Sequence, residues 1–356
     1  MSAPSRQARA RIEVLLGALA FAASVPAGKL LLRDLPPLAL SGGLYVAAGL
    51  FCSALLALGP HRAENRENRL QGRDWPWLIS AVFLGGLLGP LALFQGLRWS
   101  SGYVTGLLLN FEAIFTVGLG ALLSGERLGG RGSGGIALVI AGAIALSSAG
   151  EASAGATRPL GALLILGACA CWALDNNFTQ RISVRDARQI VAIKGLAGGA
   201  ASLGLAVLLG QLGAWTSITG VSVALVGAVS YGLSIVLFIR GLRELGVMHT
   251  GALFALAPGL AALLSWVVLR EPIHVAGLLA LSAMTAGAIL LATDVHEHLH
   301  THEPLGHAHE HEHDAHHRHE HTPDELAQVP HAHWHRHEPL THAHPHAHDV
   351  HHRHSH

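Results

Sequence analysis

Two parts of this chain hold side chains whose type and spacing could do chemistry. The first is a histidine script near the end. "HAHEHEHDAHHRHEH" (His307 to His321) returns thirty-five residues later as "HAHPHAHDVHHRHSH" (His342 to His356). Neutral imidazole is the commonest protein ligand for transition metals. His-x-His spacing on a pliable chain lets several imidazoles converge on Zn²⁺, Ni²⁺, Co²⁺ or Cu²⁺. The candidate ligands are His307, His309, His311, His313, His316, His317, His319 and His321 in one copy. In the other they are His342, His344, His346, His348, His351, His352, His354 and His356. Glu310, Glu312 and Asp314 can add oxygens.

The second part is a handful of ionisable and polar residues stranded in apolar sequence: Lys29, Asn110, Glu112, Asp175, Asn176, Lys194 and Tyr231. A charge at the centre of a membrane span costs about 2.5–3.5 kcal/mol on insertion scales, so such a residue is a functional candidate by default. Glu112 lies halfway along its apolar stretch and is the only acid in it. That suits a proton-coupling carboxylate or the counter-ion of a cationic solute. Asn110 and Tyr231 sit near mid-depth as hydrogen-bonding wall residues. Lys29 and Lys194 lie nearer the ends of their stretches, from which long side chains can snorkel. Asp175 and Asn176, with Asn177, either line a path or break a helix beside a loop.

These residues must be positioned by helices. A span needs about 20 mostly apolar residues. Ten such stretches are visible, at 12–32, 37–58, 76–97, 102–124, 133–149, 159–179, 189–210, 217–239, 247–269 and 273–292. The first is read as a retained span and not as a cleaved signal. Alternate loops carry 14 arginines against four in the others, which places both termini in the cytoplasm. Pro26, Pro90 and Pro258 interrupt spans, and Gly85/Gly89 and Gly102/Gly106 are small-residue pairs suited to close helix packing. The three cysteines, Cys52, Cys169 and Cys171, fall in apolar stretches and read as small buried hydrophobes.

The chain also repeats itself. "GLRWSSGYVTG" from Gly96 reappears as "GLRELGVMHTG" from Gly241, and the shift of 145 residues holds through Glu126 and Glu271 to the two "AGAI" segments. Five spans per repeat is an odd number, so the second copy enters the membrane inverted, the architecture of secondary transporters. The expected fold is therefore all-α and integral to the membrane: ten transmembrane helices in two inverted five-helix repeats, 1–149 and 150–294. A cytoplasmic tail at 295–356 has too few apolar residues for a core and is expected to be disordered without ligand. Glu126 and Glu271 close their spans and read as anchors paired with Arg127 and Arg270.

"LLLNFEAIFTVGLGALLSGERL" (Leu107 to Leu128), "LAPGLAALLSWVVLREPI" (Leu256 to Ile273) and "CWALDNNFTQRIS" (Cys171 to Ser183) resemble the EamA-type branch of the drug/metabolite transporter superfamily. The resemblance covers residues 12 to 292. It implies a ten-helix carrier of small organic solutes or drugs, often outward, with no required cofactor. The Glu-Pro pairing of that branch is split here: Glu112 precedes Ala113, and Pro258 follows Ala257.

No GxxxxGK[ST] loop or Ser/His/Asp arrangement is present and no HExxH motif precedes the histidine-rich tail, which argues against ATP-driven pumping and against an enzyme. No basic patch interleaved with aromatics points to nucleic acid. The expected partners are the lipid bilayer, a small solute and divalent metal ions at the tail, and the expected location is a bacterial cytoplasmic (inner) membrane. Two readings stay open. One is a carrier for metabolites or drugs with a metal-buffering tail. The other is a Zn/Ni/Co exporter whose tail collects cargo.

Overall fold

The computed structural model describes residues 6–58, 70–124, 129–148, 158–271, 275–292 and four tail segments, 296–302, 306–311, 331–336 and 340–346. Through Ala292 the described chain is helical. Six of its helical segments are long and apolar enough to cross a membrane: Gln7–Leu31, Pro37–Leu58, Gly72–Arg98, Pro159–Ile182, Ala187–Leu208 and Ser217–Leu245. Gly130–Ala145, Leu256–Leu269 and Val275–Leu290 are shorter apolar helices. Ile79, Ile144, Leu163, Leu225 and Leu279 all stay exposed. An apolar exterior of this kind belongs to a protein solvated by lipid, where helices satisfy every backbone group internally.

The expected spans are not smooth rods. The first is α1 (Arg6–Ala22) and α2 (Ser24–Leu31), broken at Ala23. α3 (Pro37–Leu58) is continuous. The third is α4 (Trp75–Ala81), a π-helical turn (Val82–Leu88) and α5 (Gly89–Arg98). The fourth is α6 (Gly102–Leu108) and α7 (Phe111–Ser124), interrupted at Leu109 and Asn110. α8 (Gly130–Ser148), α9 (Pro159–Ile182) and α10 (Ala187–Leu208) follow. Asp186 starts α10 properly, accepting the Arg188 N–H at 2.9 Å as an N-cap should. Then come α11 (Ser217–Val226), a second π-helical turn (Gly227–Leu233), α12 (Ser234–Phe254), α13 (Leu256–Leu269) and α14 (Val275–Ala292).

Sequence explains several breaks. Pro26, Pro90 and Pro258 each fall in the first turn of the helix that follows a break or π-turn. A proline there has no intrahelical partner to lose, while its ring discourages continuation from the preceding turn. The fourth span breaks without a proline, at Asn110, which is 145 residues before the break at Ala255. Both repeats therefore bend at the same place although one carries Ala113 and the other Pro258. The π-turns obey the same shift, since Gly227 lies 145 residues after Val82.

One expected boundary differs. The loop foreseen between 239 and 247 is absorbed into α12. A straight helix would part Gly241 and Thr250 by about 13 Å. A Cβ on Gly241 would instead lie 3.0 Å from Thr250 Cγ2. The chain doubles back there while keeping helical turns.

The small-residue reading holds for α6, where a Cβ on Gly106 would meet the Ala262 backbone of α13 at 2.5 Å. Gly85 and Gly89 do something else, described below. The expected disorder of the tail is corrected for its described segments. β1 (His296–His302) pairs antiparallel with β4 (Leu340–His346), and β2 (Gly306–His311) with β3 (His331–Arg336). Alternating His-x-His sequence has the strand period of two, and pairing copy with copy satisfies the backbone groups that face the partner strand without a core. In register His298 faces His344, and His309 faces His333. Among the proposed metal ligands, His313, His316, His317, His319, His321, His348, His351, His352, His354 and His356 lie outside the described residues, as do Glu126 and Arg127.

Candidate functional site

α9 brings most of the polar candidates together. Asp175 forms an ion pair with Lys194 of α10, and each side chain is only 5% exposed. Lys194 does not snorkel: it is buried on its partner. The Thr179 hydroxyl donates to the other Asp175 oxygen at 3.0 Å. The pair fits because Gly85 has no side chain, since a Cβ there would collide with the Asp175 carboxylate and crowd Lys194. The π-turn holding Gly85 is fastened by Tyr45, whose hydroxyl donates to the Gly85 carbonyl at 2.8 Å. The wider turn lets a carbonyl accept from a neighbouring helix, which is why such bulges recur at functional sites.

One residue along α9, Asn176 donates to Glu112 at 2.9 Å, near Thr116. Asn177 donates to the Thr116 carbonyl at 3.2 Å and to the Ala173 carbonyl at 2.9 Å. Asn176 thus turns toward α7 and Asn177 braces the same contact. Glu112 sits in the first turn of α7, just past the break. Carboxylates are favoured at a helix start by the macrodipole. Among the described residues no Lys or Arg forms an ion pair with Glu112, so the cluster of Glu112, Asp175 and Lys194 holds two acids and one base.

Beside it lies an aromatic group that sequence reading did not single out, apart from Tyr231. Phe21 meets Trp172 edge-on at 5.9 Å and Tyr231 at 6.1 Å. Tyr231 also meets Tyr45 at 5.3 Å and Phe94 at 6.4 Å. Gly89 leaves room for the Trp172 indole. Trp172 comes four residues before Asn176, hence on the same face of α9. That spacing was a readable signal. The Ser24 and Tyr231 hydroxyls lie within reach of each other at the first break and the second π-turn, while Asn110 Oδ1 is buried with no hydrogen-bond partner among the described residues.

Lys29 stands apart. Its ammonium donates to the carbonyls of Leu97 at 2.7 Å and Ser100 at 2.5 Å, tying α2 to the end of α5. Glu271 does not pair with Arg270, contrary to expectation. Arg270 takes a left-handed backbone (φ 54°) after α13. That turn carries Glu271 across to α6, where its two oxygens accept from the N–H groups of Gly102 at 2.8 Å and Tyr103 at 2.7 Å. Cys52 and Cys169 are buried and free, and the Cys169 thiol donates to the Leu108 carbonyl at 3.7 Å. His249 lies within α12. Among the described residues, no three His, Cys, Asp or Glu side chains are grouped to hold a metal.

Comparison with known proteins agrees with this architecture. The sequence model of the EamA-like transporter family matches twice, over residues 10–148 and 159–293. A protein of Methanothermobacter thermautotrophicus described as an uncharacterized transporter is 28% identical over 298 residues, covering 79% of this chain and 85% of its own. A protein of known crystal structure, 21% identical, superposes with a TM-score of 0.61 over 79% of this chain and 96% of its own, a likeness of fold.

Proposed function

The chain belongs to the EamA-like transporter family, and from that premise we propose that it is a secondary, non-ATP carrier that exports small organic metabolites or drugs by alternating access. Ten spans form two inverted repeats, 1–149 and 150–294, in a bacterial cytoplasmic membrane with both termini in the cytoplasm. The observation that carries the reading is the matched irregularity of the two repeats. π-turns at Val82–Leu88 and Gly227–Leu233 and breaks at Asn110 and Ala255 surround one buried polar cluster. Broken helices around a central polar site are how carriers bind solute away from water.

In this scheme Glu112 couples solute movement to protons. Glu112→Gln keeps an acceptor for Asn176 but cannot ionise. It is expected to abolish pH-gradient-driven solute movement in liposomes while leaving the protein monodisperse and its melting nearly unchanged. Retention of gradient-driven transport by that variant would remove Glu112 from the coupling role.

The tail, 295–356, supplies a second reading, divalent-metal export, favoured by its histidine density alone. Inside the helical part Asp175 is engaged by Lys194, and among the described residues no three ligating side chains are grouped, which favours an organic solute. We assign the tail to metal buffering through its paired copies. Cells expressing the full chain under Zn or Ni load should retain more metal than cells expressing the protein stopped at Asp294. A truncated form that still lowers cell metal would establish metal export instead.

A further inference from the structure

We propose that Gly251 is the seat on which the open mouth of the carrier closes. In the opposite state the backbone of α12 at Gly251 packs on the Thr116–Val117 peptide of α7. This rests on the carrier reading and names the contact that reverses it.

A mismatch between the repeats carries the inference. The 145-residue shift lays α7 (111–124) onto α13 (256–269) from end to end. It lays α6 (102–108) onto 247–253, near the end of α12. Equivalent crossings would join α6 to α13 and 247–253 to α7. Among the described residues only the first is made. α6 packs along α13, whereas α7 does not pack along α12 and lies against α9 and α14. The glycines agree. A Cβ on Gly106 would meet the Ala262 nitrogen at 2.5 Å and the Ala261 carbonyl carbon at 3.0 Å. Gly251 holds the equivalent place, and a Cβ there would meet nothing within 4 Å. Gly118, on α7, is equally open.

The two crossings are also held differently. Glu271 fastens the shut one by accepting from Gly102 and Tyr103. Lys29 fastens the approach to it by donating to the carbonyls of Leu97 and Ser100. α6 starts afresh after α5, so its first N–H groups are free to be held in this way. Residues 247–253 instead continue α12 and lean back on its other limb. A Cβ on Gly241 would meet both Thr250 and Val14 of α1. In the topology proposed above, the shut crossing faces outward and the open one faces the cytoplasm. The chain at rest therefore admits solute from inside, as an exporter must.

Inverted repeats give the second state by exchanging their conformations. α6 leaves α13, and 247–253 takes α7 as α6 now takes α13. Residue 251 then lies against residues 116 and 117, which stand 145 before Ala261 and Ala262. Backbones that approach this closely leave no room for a Cβ. A larger side chain at 251 is harmless in the present state and obstructs the other.

The test needs no solute. Full-length protein in liposomes, with Cys52, Cys169 and Cys171 replaced by alanine, carries the double variant Gly120→Cys/Val247→Cys. These positions are the equivalents of Ser265 and Gly102. A Cβ on Gly102 would lie 3.0 Å from the Ser265 Cβ in the shut crossing, a small adjustment from the about 3.8 Å that a disulfide prefers. Copper phenanthroline, the oxidant, is expected to join the two cysteines. The joined protein should exchange the amides of Gly102 and Tyr103 at least about tenfold faster than the reduced one. Gly251→Leu alone should slow that exchange at least about tenfold without lowering the melting temperature. Gly106→Leu should speed it. Gly251→Ala, with a smaller slowing, serves should Gly251→Leu not fold, and the disulfide is independent of both. Unchanged exchange in the Gly251 variants overturns the proposal. If the amides at 102 and 103 open while the cysteines never join, the carrier stands and Gly251 is not its seat. If the amides stay closed and the cysteines never join, the chain does not alternate, and the carrier reading falls with the proposal.

Discussion

Lys194→Met is expected to destabilise the protein by about 3–5 kcal/mol, because it strands the Asp175 carboxylate in a buried position with no counter-charge. Asp175→Asn should cost a similar amount by stranding the ammonium. The double variant should recover most of the loss. A buried pair replaced as a whole is often neutral, whereas a broken pair is not. Geometry sharpens the expectation. Both side chains are 5% exposed, so water cannot enter to screen the survivor without lifting the first π-turn, whose Gly85 and Gly86 lie against the pair. Gly85 sits against the carboxylate, and any movement of Asp175 toward the π-turn would press on that backbone. Thr179 can still donate to an asparagine oxygen at residue 175, so Asp175→Asn isolates the charge. Unfolding of the four proteins in detergent gives the cycle directly. Additive losses, with the double variant worst of all, would show that the two charges are independent and that Lys194 does not serve to neutralise Asp175. The argument for one uncompensated charge at Glu112 would then fail with it.

That pair also marks where sequence stops being readable. Asp175 and Lys194 are each visible as costly charges in apolar stretches, and Glu112 stands out for the same reason. Nothing in the one-dimensional pattern says that the first two meet and the third does not, because Asp175 and Lys194 come together only where α9 and α10 both pack on the first π-turn. Gly85 reads as a packing glycine when it is a vacancy for a carboxylate. Helix breaks are partly legible. Proline announces those near Pro26 and Pro258, but the break at Asn110 has no local signal and emerges only from its repeat partner. The turn between Gly241 and Thr250 is half legible: the glycines of "GLRELGVMHTG" fit an interruption, but that the chain doubles back shows only in the approach of Gly241 to Thr250 and Val14. In the tail the period of two was plain in His-x-His, yet polar composition argued for disorder and masked it. Lys29 was legible as an unusual charge, but its partners are backbone carbonyls 68 and 71 residues away.

Glu271→Ala is expected to free the junction of α6 and α13, and the argument runs through the backbone. The N–H groups at the start of a helix have no intrahelical partner. Glu271 satisfies those of Gly102 and Tyr103, and Ser101 Oγ satisfies that of Val104 at 3.0 Å. Removing the carboxylate orphans two donors beside a close helix crossing, at about 1–3 kcal/mol for each. Glu271→Gln retains one acceptor oxygen and should fall between. Amide exchange at residues 102 and 103 is the discriminating measurement. It should rise in Glu271→Ala and rise less in Glu271→Gln, with Val104 little changed because its cap is local. A uniform rise along α6 would mean instead that the whole helix has detached, and that the Gly106–Ala262 contact alone cannot hold it. Arg270 provides the counter-test. Its left-handed backbone suits glycine better, so Arg270→Gly should relieve local strain. Because Arg270 has no part in the cap, that variant should leave exchange at Gly102 and Tyr103 as slow as in the unmodified protein. The same carboxylate that closes a span in sequence thus ties one repeat to the other in space. It does so through a contact that a carrier must loosen if α6 and α13 are to separate at this end.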